Sequence, residues 1–460
     1  MRRALAVLAL LLLPAVARAQ DERPCSVIFT GVVRNGVITT STRYVTTAEG
    51  KRHTFVSGGV DATCAGQGNR LLADSAEHYE DRGELILINR VRYSEPRMSM
   101  QSDRMVYYTG EERLYATGNV RGRTNTGTRF TGPEMEYLRA KPGVRPKPRW
   151  RAPGRPFVRM APSDSGARRA PRPGQAAQSD SVDLTADVVI SENDSLVWAS
   201  GKVVIERPDL RATGDSATLD QGAGHARLLQ EPRIVGRGER PFTLTGVEVD
   251  LWSRDQKVER VLSSGQANIV SDSLTLVGDT IDLRIKDQKM ERVFTWGTRA
   301  KADTPQQQME ADSLDILLPA QRLQELHAIG RALAWTRVDT AKIVSEERDW
   351  IAGDTIVALF DTTAAPDSTE RTRMRQVTAT GSARAFYQIA PSGGQKGAPN
   401  LSYNRGREII VSFEDGEVSN VAVKERASGL LLEPIKPDTA AAPGGKSTPK
   451  STPKPAAPRP

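Results

Sequence analysis

The stretch Gly278-Asp279-Thr280-Ile281-Asp282-Leu283-Arg284-Ile285 decides how the chain is read, together with the polar join Lys286-Asp287-Gln288-Lys289 and the stretch Val293-Phe294-Thr295-Trp296-Gly297-Thr298-Arg299-Ala300. The first part alternates strictly. Ile281, Leu283 and Ile285 share one side of an extended chain, and Asp282 and Arg284 share the other, as in a half-buried strand. Gly297 follows Gly278 by 19 residues, and the same interval separates Gly246 from Gly265 and Ala311 from Gly330.

The pattern recurs along the chain. Gly214-Asp215-Ser216-Ala217-Thr218-Leu219, Ala311-Asp312-Ser313-Leu314-Asp315-Ile316 and Gly353-Asp354-Thr355-Ile356 repeat the opening, and Ala73-Asp74-Ser75-Ala76 and Ser102-Asp103-Arg104-Met105 repeat it near the N-terminus. Gly246-Val247-Glu248-Val249-Asp250-Leu251 keeps the alternation but has lost the aspartate. The central copies start at 214, 246, 278 and 311, intervals of 32, 32 and 33 residues. The second half recurs as Ala116-Thr117-Gly118-Asn119-Val120, Ala199-Ser200-Gly201-Lys202-Val203-Val204-Ile205, Leu326-His327-Ala328-Ile329-Gly330 and Ala379-Thr380-Gly381-Ser382-Ala383. A unit of this size cannot bury its own apolar face, whereas stacked units share one interior. The expected fold is all-β: short antiparallel strands stacked as a solenoid, with glycines at bends and polar joins at hairpin tips.

The combination of a small residue, aspartate, an alternating strand, a polar turn and an apolar pair leading to Ala-x-Gly-Asn-Val resembles the OstA-like repeat of the lipopolysaccharide transport proteins LptA and LptC and of the N-terminal domain of LptD. Ala116 to Val120 is close to the family's Gly-Asn-Val turn, and Leu72-Ala73-Asp74-Ser75-Ala76-Glu77-His78-Tyr79 resembles its strand opening. About ten copies cover most of residues 53–425. The resemblance implies a β-jelly-roll, an open folded sheet or β-taco, acting as a periplasmic bridge that shelters lipid A acyl chains in an apolar groove. The chain is longer than a single LptA-like module, and no series of amphipathic strands resembling the LptD barrel follows the repeats. Open strand edges at the ends of such a stack favour docking to other OstA-like proteins by strand addition, and head-to-tail self-association.

The chain has 460 residues, with 26% charged, 38% hydrophobic and 5% aromatic. That is too polar for a protein of several membrane spans. Residues 1–19, with Arg2 and Arg3, an apolar run from Ala4 to Leu13 and the site Ala17-Arg18-Ala19, read as a cleaved signal peptide, so the mature chain is expected in the periplasm. Residues 20–138 are read as N-terminal repeats, 139–180 as an Arg/Pro-rich disordered linker, 181–435 as the main repeats and 436–460 as a disordered tail rich in Pro, Lys and Ala. Between Arg139 and Pro173 lie eleven basic residues, one acid and eight prolines, a composition that favours extended chain. Assigning charge to the signal peptide, linker and tail leaves −9 of the total +8 for the repeats, which removes the support for a nucleic-acid surface there.

Cys25 and Cys64 are the only cysteines. In an oxidising compartment they form a possible disulfide or remain as buried thiols. His53, His78, His225 and His327 fall in different copies with no metal-ligand spacing, and Gly214-Asp215-Ser216 is a copy of a repeated turn, so no metal, no cofactor and no catalytic residue is expected and the chain is read as not an enzyme. Calcium would need six to eight oxygens, and each copy offers one aspartate near the motif. The candidate lipid groove is the inward stripe Val203, Ile205, Leu219, Val247, Val249, Leu251, Ile281, Leu283, Leu314, Ile316 and Ile356, facing lipopolysaccharide or another amphiphilic lipid. The alternative is a structural exported β-solenoid, a scaffold or adhesin with a closed interior and no ligand.

Overall fold

The computed structural model describes residues 25–65, 67–141, 143–161, 181–237, 241–255, 257–272, 274–305, 307–319, 322–336, 342–361, 373–391, 396–414 and 417–434. The expected signal peptide and tail, and residues 162–180 of the expected linker, lie outside them. The described residues form antiparallel β-structure with no α-helix. The chain divides into two compact units. One runs through Ala302 and takes in Asp315–Arg322. The other holds Asp303–Leu314 and the chain from Leu323.

In the first unit the long strands are bent in the middle, and between them pairs of short strands take the place of a long one. Leu196–Glu206 pairs with Leu210–Asp220, and Lys257–Ser271 with Thr275–Lys286, each ladder slipping register once: between Ser200 and Val203, and between Ser264 and Ala267. The bend divides each strand into two arms. Along arm I the inward row reads Tyr93, Met100, Gly122, Phe130, Val158, Leu184, Ile205, Ala212 on successive strands. Along arm II it reads Leu85, Tyr107, Leu114, Tyr137, Trp150, Ser191, Val197, Leu219. The second unit repeats the design. Glu325–Thr336, Asp349–Phe360, Met374–Ile389 and Asn400–Glu414 are successive bent strands, ending in Glu417–Lys424 on one arm and Ser428–Leu432 on the other.

The recurring aspartate and glycine form a bend within a strand rather than a turn between strands: Gly278-Asp279 lies inside Thr275–Lys286. At the bend two successive residues are left-handed: Gly118 and Asn119 (φ 76° and 48°), Gly201 and Lys202 (77° and 48°), Gly330 and Arg331 (82° and 48°), Gly381 and Ser382 (75° and 51°). The aspartate of the neighbouring strand packs directly on that glycine. A Cβ on Gly381 would lie 2.1 Å from Asp354 Oδ2, and one on Gly330 would lie 2.4 Å from Asp312 Oδ2. In two copies the second left-handed residue also holds that carboxylate. Arg331 donates to Asp312 at 2.5 Å, and Asn119 donates to Asp103 at 2.7 Å. The polar join Lys286 to Lys289 is a hairpin tip, with Asp287 and Gln288 both left-handed.

Gly381→Ala is therefore expected to destabilise its copy by about 1–3 kcal/mol, because a side chain must adopt a left-handed backbone and meet Asp354 as well. Hydrogen exchange across Asp349–Phe360 and Met374–Ile389 reads the loss. Adding Asp354→Ala should recover part of it, and unchanged protection in the single variant would refute a bend built on this contact.

The expected linker is corrected at its first half. Arg149–Pro153 and Phe157–Met160 are strands, and they pair both with Arg129–Leu138 before them and with the strands of 182–192 after them. The ladder thus runs through the boundary expected at 139–180. Trp150, Ala152, Val158 and Met160 point inward while Arg149, Arg151 and Arg159 point out, so the arginines are the solvent side of an ordinary alternation. Residues 139–161 contain eight basic residues and no acid, which moves the −9 expected for the repeats to −1.

Polar alternates on the outer side are paired across strands. Asp282, almost fully buried, accepts from Arg260 at 3.0 and 2.9 Å and from Arg284 at 2.9 Å, and Asp250 accepts from Arg227 at 2.8 Å and lies 2.7 Å from His225 Nε2. Cys25 and Cys64 are joined as a disulfide that ties the chain just ahead of the edge strand Val27–Thr30 to its neighbour Val60–Cys64.

Candidate functional site, an apolar interior between two arms

The candidate groove residues are placed by alternation on either side of the bend. Val203, Ile205, Leu219, Val249, Leu251, Ile281, Leu283, Leu314, Ile316 and Ile356 are all buried. Val247 is the exception at 59% exposed, and it is corrected to an outward position. It sits at the bend where other copies carry aspartate, its N–H donating at 3.0 Å to the carbonyls of Ser264 and Gly265, with its side chain over Gly265. The inward alternation begins only at Val249.

The two arms face each other across the interior. Met98–Tyr108 would span about 33 Å if straight, yet residues at its two ends meet on one guanidinium. Arg139 Nε donates to Glu95 at 2.7 Å, and Arg139 Nη1 donates to Glu112 at 2.6 Å. Glu95 belongs to the hairpin tip of arm I and Glu112 to that of arm II. Arg139 also donates to Gln67 Oε1 at 2.6 Å, and Gln67 donates to Glu112 at 2.7 Å. Tyr93 and Tyr137 donate to Glu95, and Tyr107 donates to Glu112 at 3.1 Å. The mouth between the arms is closed at these copies by this clasp of one cation, two carboxylates, three phenols and an amide.

Burial pushes the Tyr107 and Tyr137 hydroxyls well up, and the adjacent carboxylates Glu112 and Glu95 push them further. Burial works to lower the Arg139 pKa, but Tyr93 and Glu95 outweigh it and the guanidinium is held more firmly charged than usual. Behind the clasp, Tyr93 lies 6.4 Å from Tyr137 and Phe130 is stacked 5.6 Å from Trp150, each pair spanning the two arms. In the second unit the buried inward positions mix alanines (Ala328, Ala332, Ala358, Ala379, Ala383 and Ala385) with larger residues, among them Leu326, Ile356, Val377 and Ile409.

Sequence reasoning missed the clasp, although a signal was present. Glu95 and Arg139 follow the inward Tyr93 and Tyr137 by two residues, so charged side chains occupy positions of inward parity. His53 and His78 sit on paired strands and the other two histidines elsewhere; His53 faces Asp81, His225 Asp250 and His327 Glu325, while burial lowers the pKa of His78. Among the described residues no group of three His, Cys, Asp or Glu side chains is placed to hold a metal ion.

The arrangement defines a class: a folded antiparallel sheet of the β-jelly-roll type, whose two arms enclose an apolar interior. No family model matches the chain, and no curated protein matches it. Among solved structures it is similar to the crystal structure of LptH, the LptA homologous periplasmic component of the conserved lipopolysaccharide transport device from Pseudomonas aeruginosa, at 15% identity with a TM-score of 0.22, over 25% of this chain and 82% of that one.

Proposed function

We propose that this chain is a periplasmic carrier or bridge for an amphiphilic lipid, with lipopolysaccharide as the first candidate, and that it performs no bond chemistry. The observation that carries this reading is the interior itself. Within each unit, both arms of successive bent strands turn alternate apolar residues toward the interior between them, and in the second unit alanines stand among those residues, so parting of the arms would offer hydrocarbon an apolar surface. Each CH₂ transferred from water contributes about 0.8 kcal/mol, so several acyl chains can be held without specific polar contacts. Lipopolysaccharide comes first among amphiphiles because the repeats carry the OstA-like pattern of lipopolysaccharide transport proteins.

Strand edges provide the means of docking to like-folded partners. Ser428–Leu432 pairs with one neighbour and exposes Leu430, Leu431 and Leu432, and Ser41–Thr46 at the other end of the chain is exposed throughout. Such edges favour strand addition, including head-to-tail self-association.

The closed-scaffold reading has its own support, since Ile281, Leu283, Ile316 and Ile356 are completely buried and the clasp shuts part of the mouth. Mass spectrometry of lipid extracted from native protein separates the two readings. The carrier reading expects co-purifying glycolipid or phospholipid and photocrosslinks to it from probes at Leu283 and Ile316. Absence of both refutes it and leaves the scaffold.

A further inference from the structure

We propose that the outer face of arm I, over the strands from Arg70 to Met160, is a docking surface for an anionic lipid bilayer, with arginines on headgroup phosphates. On this face Arg92, Gln101, Arg121, Thr131 and Phe157 lie opposite one another on successive strands, and Ser94, Ser99, Arg123, Arg129 and Arg159 form the parallel row. Arg123 and Arg129 are direct cross-strand partners, a like-charge pairing that disfavours the sheet. Arg92, Arg121, Arg123 and Arg129 are all exposed. The acids of this face stand at its margins and are taken: Asp61 by Arg70 at 2.9 and 2.5 Å, and Asp183 by Arg159 at 2.6 Å through both oxygens.

The four remaining arginines fall on three of four successive strands, within about 15 Å along the hydrogen-bonding direction. Serine, threonine and glutamine side chains fill the positions between them. Planar guanidinium groups beside hydroxyls match phosphate oxygens. The flanks select the source of that phosphate. Phe157 and Ile28, both exposed, border the same face, and an apolar flank gains from a bilayer interface but not from a soluble polyanion.

The proposal stands apart from the carrier reading, because the face is the solvent side of arm I and the interior plays no part. Its test is flotation of the full chain with phosphatidylcholine vesicles, with and without phosphatidylglycerol. The wild type should float with the anionic vesicles alone. An arginine near an anionic surface contributes roughly fivefold in partitioning, so replacing Arg92, Arg121, Arg123 and Arg129 together by Gln should lower binding by at least about tenfold after screening by salt. The charge-matched control, with Arg149, Arg151, Arg405 and Arg426 replaced by Gln, should bind as wild type. Thermal stability of the first variant should be unchanged or raised, since a repulsive pair has been removed. Equal binding by the two variants, or flotation of wild type that ignores lipid charge, overturns the proposal. So does binding of wild type to soluble polyphosphate but not to vesicles.

Discussion

Arg139→Met is expected to cost about 3–5 kcal/mol in the copies it joins, the usual consequence of removing one partner from a buried ionic group. Glu95 and Glu112 would be left facing each other's arms with no counter-charge, their side chains only 5% and 10% exposed. Gln67 would lose its strongest tie, and the three tyrosine hydroxyls would donate to carboxylates that must take up protons or water. The effect should be local, because a stacked fold opens copy by copy rather than all at once. Hydrogen exchange should show lost protection across Glu84–Ser94, Met98–Tyr108 and Arg129–Leu138, with the second unit unchanged. Combining Arg139→Met with Glu95→Gln and Glu112→Gln should recover much of the loss, since an uncharged cluster of similar volume does not carry the desolvation cost. A single variant as protected as wild type would show that the mouth is held by apolar packing alone.

Trp150→Ala is the second large effect, also about 3–5 kcal/mol. Trp150 is buried, stacks on Phe130 from the opposite arm, and donates its Nε1 hydrogen to Asp194 at 3.3 Å. Burial already raises the Asp194 pKa, and the indole hydrogen bond acts against that rise. Removing the indole leaves a large cavity and takes from the buried Asp194 carboxylate its hydrogen-bond donor, with only the nearby Arg97 charge still favouring ionisation. Phe130 cannot simply move in. It already fills the space beside Gly122, where a Cβ would lie 1.9 Å from its ring. The readout is the urea midpoint of the first unit, together with protease cleavage between residues 139 and 161. An ordered segment predicts a lower midpoint and new cleavage. Unchanged behaviour would restore the reading of this stretch as extended chain.

These two residues also show where the sequence was legible. The all-β stack could be read from alternation, since Ile281, Leu283 and Ile285 against Asp282 and Arg284 admit one extended reading. The inward stripe could be read for the same reason. Val247 was misplaced because it sits at the bend, against the left-handed Gly265 and Gln266 of the partner strand, and the alternation of Val247, Val249 and Leu251 carries no mark of where the bend ends. The bend was read as a turn between strands because glycine and aspartate signal a chain reversal equally well. Trp150 was hidden by composition. Prolines and arginines dominate its segment, yet Trp150-Arg151-Ala152 and Val158-Arg159-Met160 alternate as well as any other strand. The inward parity of Glu95 and Arg139 marked them as unusual, but their joining with Gln67 and Glu112 was not legible, because these four are distant in sequence and meet only once the strands fold back.

The bend has a consequence for how such a protein changes size. Its geometry is written within one strand pair, in two left-handed residues and the aspartate beside them. A new pair inserted between two others therefore needs no adjustment elsewhere beyond matching side chains on its two neighbours. Each inserted pair lengthens its stack by about 10 Å. Copy number is thus a ruler, and duplication or loss of one 32-residue segment tunes reach in fixed steps while the cross-section stays constant.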